Sequence, residues 1–492
     1  MSRQSCRESR NLDINYFESD FSDLDEEEIV EFDFSDGYSS ENELNYEERC
    51  PKKRKTASKN ATAASIVQLY ESISIPLVEQ ISVRDLNTIF LKDSSAFMNP
   101  WHVFQYIFSS SISTLYKENI DRYDSFFKAK IDSQQEGKLV FTPLQLKDIK
   151  SFIGALYLMD IYKLPQIEMY WGRSKSICIL EEITNNIKLS QFNDIRNCIG
   201  ISDENSLFQN ICIKTAEVVL PSNEIAVDEQ LILFKGRYAN KVTIDKKPAG
   251  TGVKAYVTAD SNSKLSLRNS TKGHGKEGDL DIEMNKYPLV AASMSTGFGN
   301  CTLFTDNLYT TFELHSYLKD KGSSLVGTVR YQNLPKSLKP LYKDFKANNQ
   351  IPIQTGMRDN LPIVELHTAA YKVDAVYFIF VRDNGCFCIS TNSEELFLKG
   401  KITVKSKANE EQRRKFGIES YALFKTVPYI VAYYNKKMNA VDVVDQLLSS
   451  HQRHQRQQKW TMAYLYSAIR TAEVTSYTIY RLYFFFNVVH VK

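Results

Sequence analysis

The sequence predicts an α/β protein, with a mixed sheet at the centre and helices drawn from both flanks. Three observations predict it. From Glu224 onward, short apolar runs alternate with turn-prone residues, the pattern of strands. Between Cys301 and Val329 a strand, a helix and a strand follow one another. Residues 99–201 and 460–486 carry apolar side chains three and four positions apart, the period of helices that bury one face. The chain has 492 residues, 43% of them hydrophobic and 12% aromatic. That length allows two to four domains and several cores.

Residues 1–62 read as a disordered acidic tail. Residues 1–50 hold 16 Asp/Glu and 4 Lys/Arg; of the chain's 61 Lys/Arg and 59 Asp/Glu, this leaves 57 basic against 43 acidic residues elsewhere. A basic body with an acidic tail suits a polyanion-binding surface whose non-specific attraction the tail moderates. A solubilising tail on an ordinary basic protein is the plainer reading. Phe17, Phe21, Phe32 and Phe34 lie among the acids, spaced for docking onto a partner or simply solvated. Pro51-Lys52-Lys53-Arg54-Lys55 follows and reads as a nuclear import signal, which would engage an import receptor. The first residues are polar and charged, unlike a signal peptide, and charges interrupt every apolar stretch too often for a membrane span. The eight cysteines are scattered, and the one close pair, Cys386-Phe387-Cys388, alternates as in a strand rather than pairing as at a zinc site. A reducing, intracellular compartment fits, with the nucleus as destination.

Residues 63–90 have moderate helical spacing. The helical part proper spans 95–223, with Trp101, Val103, Phe104, Ile107 and Phe108 as one stripe. Leu144, Leu146, Ile149, Phe152, Ile153, Leu156 and Tyr157 form a stronger one after the start signal Thr142-Pro143. Glu224–Phe234 and Gly252–Asp260 read as strands around the turn Asp245–Gly250, and residues 261–285 as a long flexible loop. Leu289–Met294 and Cys301–Thr305 are further strand candidates, Thr310–Lys321 a helix, and Leu325–Val329 a strand. Together, residues 224–330 suggest a sheet of ribonuclease H type. Residues 331–424 break that pattern with the strand-like runs Ile363–Leu366, Val376–Val381 and Phe387–Ser390 and the charged stretch Lys399–Lys415. Residues 425–450 resume it: Val427–Tyr434 as a strand, then Ala440–Leu448 as a helix with Asp442 and Asp445 on one face. Residues 451–492 include a long aromatic helix expected to pack back on 95–223.

Three aspartates stand out. Asp228 follows Ile225-Ala226-Val227, Asp306 ends the run Cys301–Thr305, and Asp442 opens the helix after Tyr433-Tyr434-Asn435. A carboxylate at the end of an apolar strand is costly to bury without a cation or a partner. Each also has a plain structural role open to it: a turn for Asp228, a helix cap for Asp306, a first-turn acid for Asp442. Carboxylates that converge from strand ends suit Mg²⁺, which takes oxygen ligands and keeps substrate phosphates in its shell.

At these residues the chain resembles the piggyBac family of transposases and transposase-derived proteins. The matching segments are Val227-Asp228-Glu229-Gln230 with Phe234-Lys235-Gly236-Arg237, then Lys247-Pro248 and Gly252-Val253-Lys254. Thr305-Asp306-Asn307, Gly327-Thr328-Val329-Arg330, Tyr433-Tyr434-Asn435 with Val441–Gln446, and Lys459-Trp460 complete the series in the family's order, so that the likeness covers residues 95 to 485. The resemblance implies a ribonuclease H-like core, a β-rich insertion domain over 331–424, and a discontinuous all-helical domain for dimerisation and DNA binding. It implies Asp228, Asp306 and Asp442 as the metal-binding triad and Asp445 as a fourth important carboxylate. It implies two Mg²⁺ ions, with Mn²⁺ as substitute, and cut-and-paste chemistry on double-stranded DNA: nicking and hairpin formation at transposon ends, then joining at TTAA. A homodimer is expected.

Further residues carry two readings each. Lys235 and Arg237 flank Gly236 beside the expected site and fit phosphate contacts or a solvated turn. Arg330 fits DNA backbone or an acid partner. The run His451–Lys459, with Arg453, Arg456 and Lys459, fits DNA backbone or an exposed helix face. Glu229 is read as structural, on the opposite strand face from Asp228, and Trp460 as a packing residue. The sequence departs from the family at Asn439-Ala440, where two glycines are common, and carries up to Lys492 no counterpart of the cysteine-rich zinc module of many relatives. A transposase, a non-enzymatic transposase-derived DNA-binding protein and an unrelated metal-dependent nuclease are the three functional readings.

Overall fold

A computed structural model describes residues 82–83 and 99–484, apart from 134–140, 173–179, 204–205, 245–249, 272–283, 349–351, 384, 409, 418–420 and 450–458. The acidic tail, the basic run at 51–55, and Arg453 and Arg456 lie outside the described residues. Of the segment 63–90, only β1 (Ser82–Val83) is described; it pairs antiparallel with β2 (Val219–Leu220).

The helical part opens with α1 (Pro100–Asp132). Asn99 caps it, its side chain accepting from His102 N–H at 3.2 Å, with proline at the first helical position. Helices α2 (Leu146–Ile161), α3 (Glu181–Thr184), α4 (Leu189–Cys198) and α5 (Ser206–Val218) follow. Phe152 meets Phe192 at a tilt, with ring centres 5.0 Å apart, and most of the predicted stripes of α1 and α2 is buried in one core, whereas Trp101 and Leu146 are exposed.

The sheet begins with β3 (Glu224–Leu233), β4 (Lys241–Thr243), β5 (Thr251–Asp260) and β6 (Ser266–Ser270). Then come α6 (Lys286–Ser295), β7 (Thr302–Thr305), α7 (Phe312–Asp320) and β8 (Ser324–Val329). β3, β7 and β8 run parallel, and β5 and β6 continue the sheet antiparallel on the other side of β3. This is the ribonuclease H-type arrangement. Alternate residues divide between two cores: Ile225, Val227, Leu303 and Leu325 face the helical part, while Ala226, Phe304 and Val326 face the opposite layer. Burial on both faces is why these strands read as unbroken apolar runs.

Two expectations fail in this stretch. Leu289–Met294 is helical, inside α6, and not a strand. Its residues are buried almost all round, so no amphipathic period marks the helix, and a short apolar run is then indistinguishable from a strand. The long loop expected from 261 contains β6, whose five residues, four of them polar, are all buried.

Beyond α8 (Leu338–Ala347), the chain forms β9 (Ile353–Arg358), β10 (Leu361–Glu365), β11 (His367–Val373), β12 (Val376–Arg382) and β13 (Cys386–Thr391). After them come α9 (Glu394–Leu398), β14 (Lys401–Lys407), α10 (Glu410–Phe416) and β15 (Ala422–Pro428). These strands split. β13 pairs antiparallel with β8, so β11–β13 extend the main sheet, which runs β11-β12-β13-β8-β7-β3-β5-β4. β14, β15, β10 and β9 form a separate four-stranded sheet. The buried ion pair Lys425–Asp383 (2.7 Å, side chains 2% and 3% exposed) links the two sheets.

The strand expected at Val427–Tyr434 is also corrected. β15 ends at Pro428 in the small sheet, and α11 (Tyr429–Met438) follows, then α12 (Ala440–Ser449). Tyr429, Tyr433 and the β-branched residues between them favour strands in isolation; packing of Ile430 and Val431 against the sheet overrides that preference. Last comes α13 (Trp460–Phe484), which returns across the molecule to α1 and α5 and shares their core, with Tyr464 edge-on to Phe208 at 6.4 Å. The two helical segments, distant in sequence, are one packed unit.

Candidate active site

The parallel register pairs Val227 with Thr305, so the next residue on each chain, Asp228 and Asp306, stand side by side beyond that pair. Each is oriented by backbone donors. Asp228 Oδ1 accepts from Glu229 N–H at 2.7 Å, and Asp306 Oδ1 from Leu308 N–H at 2.7 Å. Thr310 N–H and its hydroxyl donate to the Asp306 carbonyl at 3.2 and 2.7 Å and close the turn. Gly327 on β8 lies beneath it: a Cβ there would come within 2.2 Å of Thr310 Oγ1 and 2.9 Å of the Thr305 carbonyl. Only glycine admits that approach.

Asp442 arrives on α12, which docks on β3 and β5 through Val441 and Val444, both buried. Asn439, between α11 and α12, has φ −70° and ψ 7°, so Asn-Ala replaces the family's glycines without left-handed backbone. The junction is held from the β5–β6 turn. Lys264 Nζ donates to Asn439 Oδ1 at 2.9 Å and to the Lys436 carbonyl at 3.4 Å, and Lys437 pairs with Glu224 at 2.6 Å.

The electrostatics record the convergence. Burial, then the charges of Asp306, Glu229 and Asp442, hold the Asp228 carboxyl well above the usual carboxylate range. Burial pushes Asp306 up to about 6 against the opposing hydrogen bond from Leu308. Asp445 is engaged differently: Gln230 Nε2 donates to its Oδ1 at 2.6 Å. Among the described residues no group of three or more His, Cys, Asp or Glu side chains stands close enough together to hold a metal ion. The donor set nevertheless fits a hard divalent cation, since it is all carboxylate oxygen and its members repel one another.

The other expected residues divide. Arg330 stands near Asp306, where its charge opposes the upward shift, and its Nε donates to Asn307 Oδ1 at 2.8 Å. Lys235 and Arg237 are exposed, but they follow the far end of β3, roughly 20 Å of extended chain from Asp228. They belong to the turn whose Tyr238 stacks on Trp460 at 5.2 Å, not to the carboxylate cluster. Lys459 is exposed at the start of α13 and donates to the Asn197 carbonyl.

Sequence reasoning read Glu229 as structural and did not single out Tyr309 or Asn269. Glu229 pairs with Lys254, as a structural residue would, yet its charge reaches both Asp228 and Asp306. Tyr309, fully buried beside these acids, has its hydroxyl driven up by burial and then by Glu229. Asn269 on β6 donates to Gln230 Oε1 at 2.9 Å. A polar residue in a stretch that looks like loop gives no signal of this; the pairing of β6 with β5 does.

A family model described as Transposase IS4 matches residues 99–477. The chain belongs to that transposase family, and within it to the piggyBac type. The fold is shared with a solved structure titled as the cryo-EM structure of a piggyBac transposase synaptic complex with hairpin DNA. The TM-score is 0.58 at 17% identity, covering 82% of this chain and 77% of that one.

Proposed function

We propose that this protein is a metal-dependent DNA transposase that cuts double-stranded DNA at transposon ends and joins them to TTAA targets. What supports the reading is that buried Asp228, raised first by burial, also feels the charges of Asp306, Glu229 and Asp442, with Asp306 beside it in parallel register. Asp228, Asp306 and Asp442 would hold two Mg²⁺ ions, or Mn²⁺ in their place. When bound, such ions supply Lewis-acid stabilisation to the attacking and leaving oxygens of an in-line displacement. The chain's own part is to hold those carboxylates: β3 and β7 fix the first two by parallel register, and α12 brings the third. Arg330, exposed beside Asp306, is placed to receive a DNA phosphate. Arg453, Arg456 and Lys459 would add DNA-backbone contacts, and Lys235 and Arg237 others at a distance from the acids. The protein acts as a homodimer and in the nucleus, delivered by an import receptor that takes up Lys52–Lys55.

The test is cleavage of a labelled duplex carrying candidate terminal repeats, with Mg²⁺ or Mn²⁺, at low and near-physiological salt. D228N should abolish nicking and leave DNA binding in place, because dispersed Lys and Arg contacts carry affinity and weaken with salt. Cleavage that survives D228N would remove Asp228 from the site. Binding without cleavage by the wild-type chain, across metals and ends, would move it to the transposase-derived DNA-binding proteins.

A further inference from the structure

Asp228 and Gln230 are two residues apart on β3 and face the same side of the sheet. Asp442 and Asp445 are three apart on α12 and share one helix face. The helix therefore meets the strand through two matched side-chain pairs of opposite sign. Asp442 repels Asp228, while Asp445 accepts a 2.6 Å hydrogen bond from Gln230. Gln230 is 4% exposed, and its amide has a fixed sense. Asn269 Nδ2 donates to Gln230 Oε1 at 2.9 Å, which leaves Nε2 to face Asp445. Asn269 is itself 2% exposed, on a strand whose five residues are all buried. A buried amide relay thus runs from β6 through β3 to the helix that carries the third carboxylate.

We propose that Gln230, oriented by Asn269, is a positioning residue: it holds α12 through Asp445 and so sets where Asp442 stands against Asp228 and Asp306. This rests on the reading of those three aspartates as one metal-binding site. Without the tie, the packing of Val441 and Val444 alone would hold α12 against the repulsion between Asp228 and Asp442. Asp445 then serves the site by anchoring the helix through its Oδ1 rather than by holding a metal.

The experiment is an exchange of partners. Q230E is nearly isosteric but sets a carboxylate against Asp445. Q230E combined with D445N restores a donor–acceptor pair in the reverse sense and still accepts from Asn269. Three quantities are read for each variant: melting temperature without metal, Mn²⁺ affinity by calorimetry, and cleavage against DNA affinity. Q230E should lower Mn²⁺ affinity and cleavage by roughly 10–100-fold, the usual effect of removing a group that orients a metal ligand, with DNA affinity unchanged. The double variant should regain most of both and most of the lost melting temperature. Wild-type Mn²⁺ affinity and cleavage in Q230E, or a double variant no better than Q230E, would overturn the proposal. Should Q230E fail to fold, N269A frees the amide to rotate and should weaken Mn²⁺ binding in the same direction; an unaltered N269A would overturn it equally. A wild-type chain that neither binds Mn²⁺ nor cleaves would sink the transposase reading, while recovery of melting temperature in the double variant still decides the tie.

Discussion

Asp306 gives a stability signature that a purely structural acid lacks. Its folded-state pKa of about 6 lies above the ordinary 3.8, so the folded protein binds more protons than the unfolded chain between those values. Its contribution to stability is full below the ordinary value and is lost as pH rises through about 6. Asp228 shifts in the same direction. The metal-free protein should therefore melt lower at about pH 7 than at about pH 5 from this source. D306N should flatten that fall and melt a few degrees higher at neutral pH. Added Mg²⁺ or Mn²⁺ should do the same to the wild type, and a melting curve insensitive to both would remove the strained acids from the account. Gly327 offers a second residue-scale prediction. G327A forces a methyl group against Thr310 and the Thr305 carbonyl, at an expected cost of about 1–3 kcal/mol for overpacking. Denaturant unfolding measures it, and cleavage should fall with it because the displaced turn carries Asp306. The first two acids drew notice because each ends an apolar run, and their place in the piggyBac order made them candidates. Gln230 and Asn269 were not, since their meaning lies in who stands opposite them across the sheet.

At the scale of elements, α12 is the part of the site held by side-chain packing and hydrogen bonds and not by strand register. It follows α11 at a junction clamped by Lys264, whose Nζ also donates to the Ser261 carbonyl at 2.8 Å. K264M keeps the apolar stem and removes these bonds. It should cost about 1.5–3 kcal/mol, the usual worth of hydrogen bonds to a charged group, and amide exchange should speed up selectively over 429–449. Uniform exchange across the chain would show instead that the clamp is only part of the general fold. Elements with a clear period or clear punctuation were legible, as in α1, α2, α7 and β12. Those buried on all sides were not. Leu289–Met294 looked like a strand and Val427–Tyr434 like another, because a run that is apolar throughout carries no period to tell helix from strand. β6 failed in the opposite way: its polar residues suggested a loop, yet inside the fold Arg268 donates to the Met294 carbonyl and lies over the Phe298 ring, and Asn269 donates to Gln230.

Across the whole molecule, the ion pair Lys425–Asp383 joins the small sheet to the extended main sheet, and Gln412 donates to the same aspartate at 3.0 Å. D383N strands a buried ammonium, and the expected cost is about 3–5 kcal/mol, read as a lower denaturation midpoint. Limited proteolysis should then open the 399–425 region first. The tail makes a separate prediction: alanine at Lys52, Lys53, Arg54 and Lys55 should shift a tagged protein toward the cytoplasm, and undiminished nuclear accumulation would argue against the import signal. The broad plan of helical flanks around a central sheet could be foreseen because each part keeps its own period. The sharing of strands could not, since β13 joins β8 across nearly sixty residues of intervening chain.

The return of α13 to α1 has a consequence for synthesis. A ribosome releases the helical part first, yet that part's core stays open until residues 460–484 emerge. The carboxylate set follows the same schedule: Asp228 and Asp306 can meet early, but Asp442 arrives only near the end. Prematurely terminated chains therefore carry neither a closed core nor a complete set of acids. On the transposase reading, this topology is a safeguard: unfinished copies would lack the third acid and leave the apolar face of α1 and α5 unsealed.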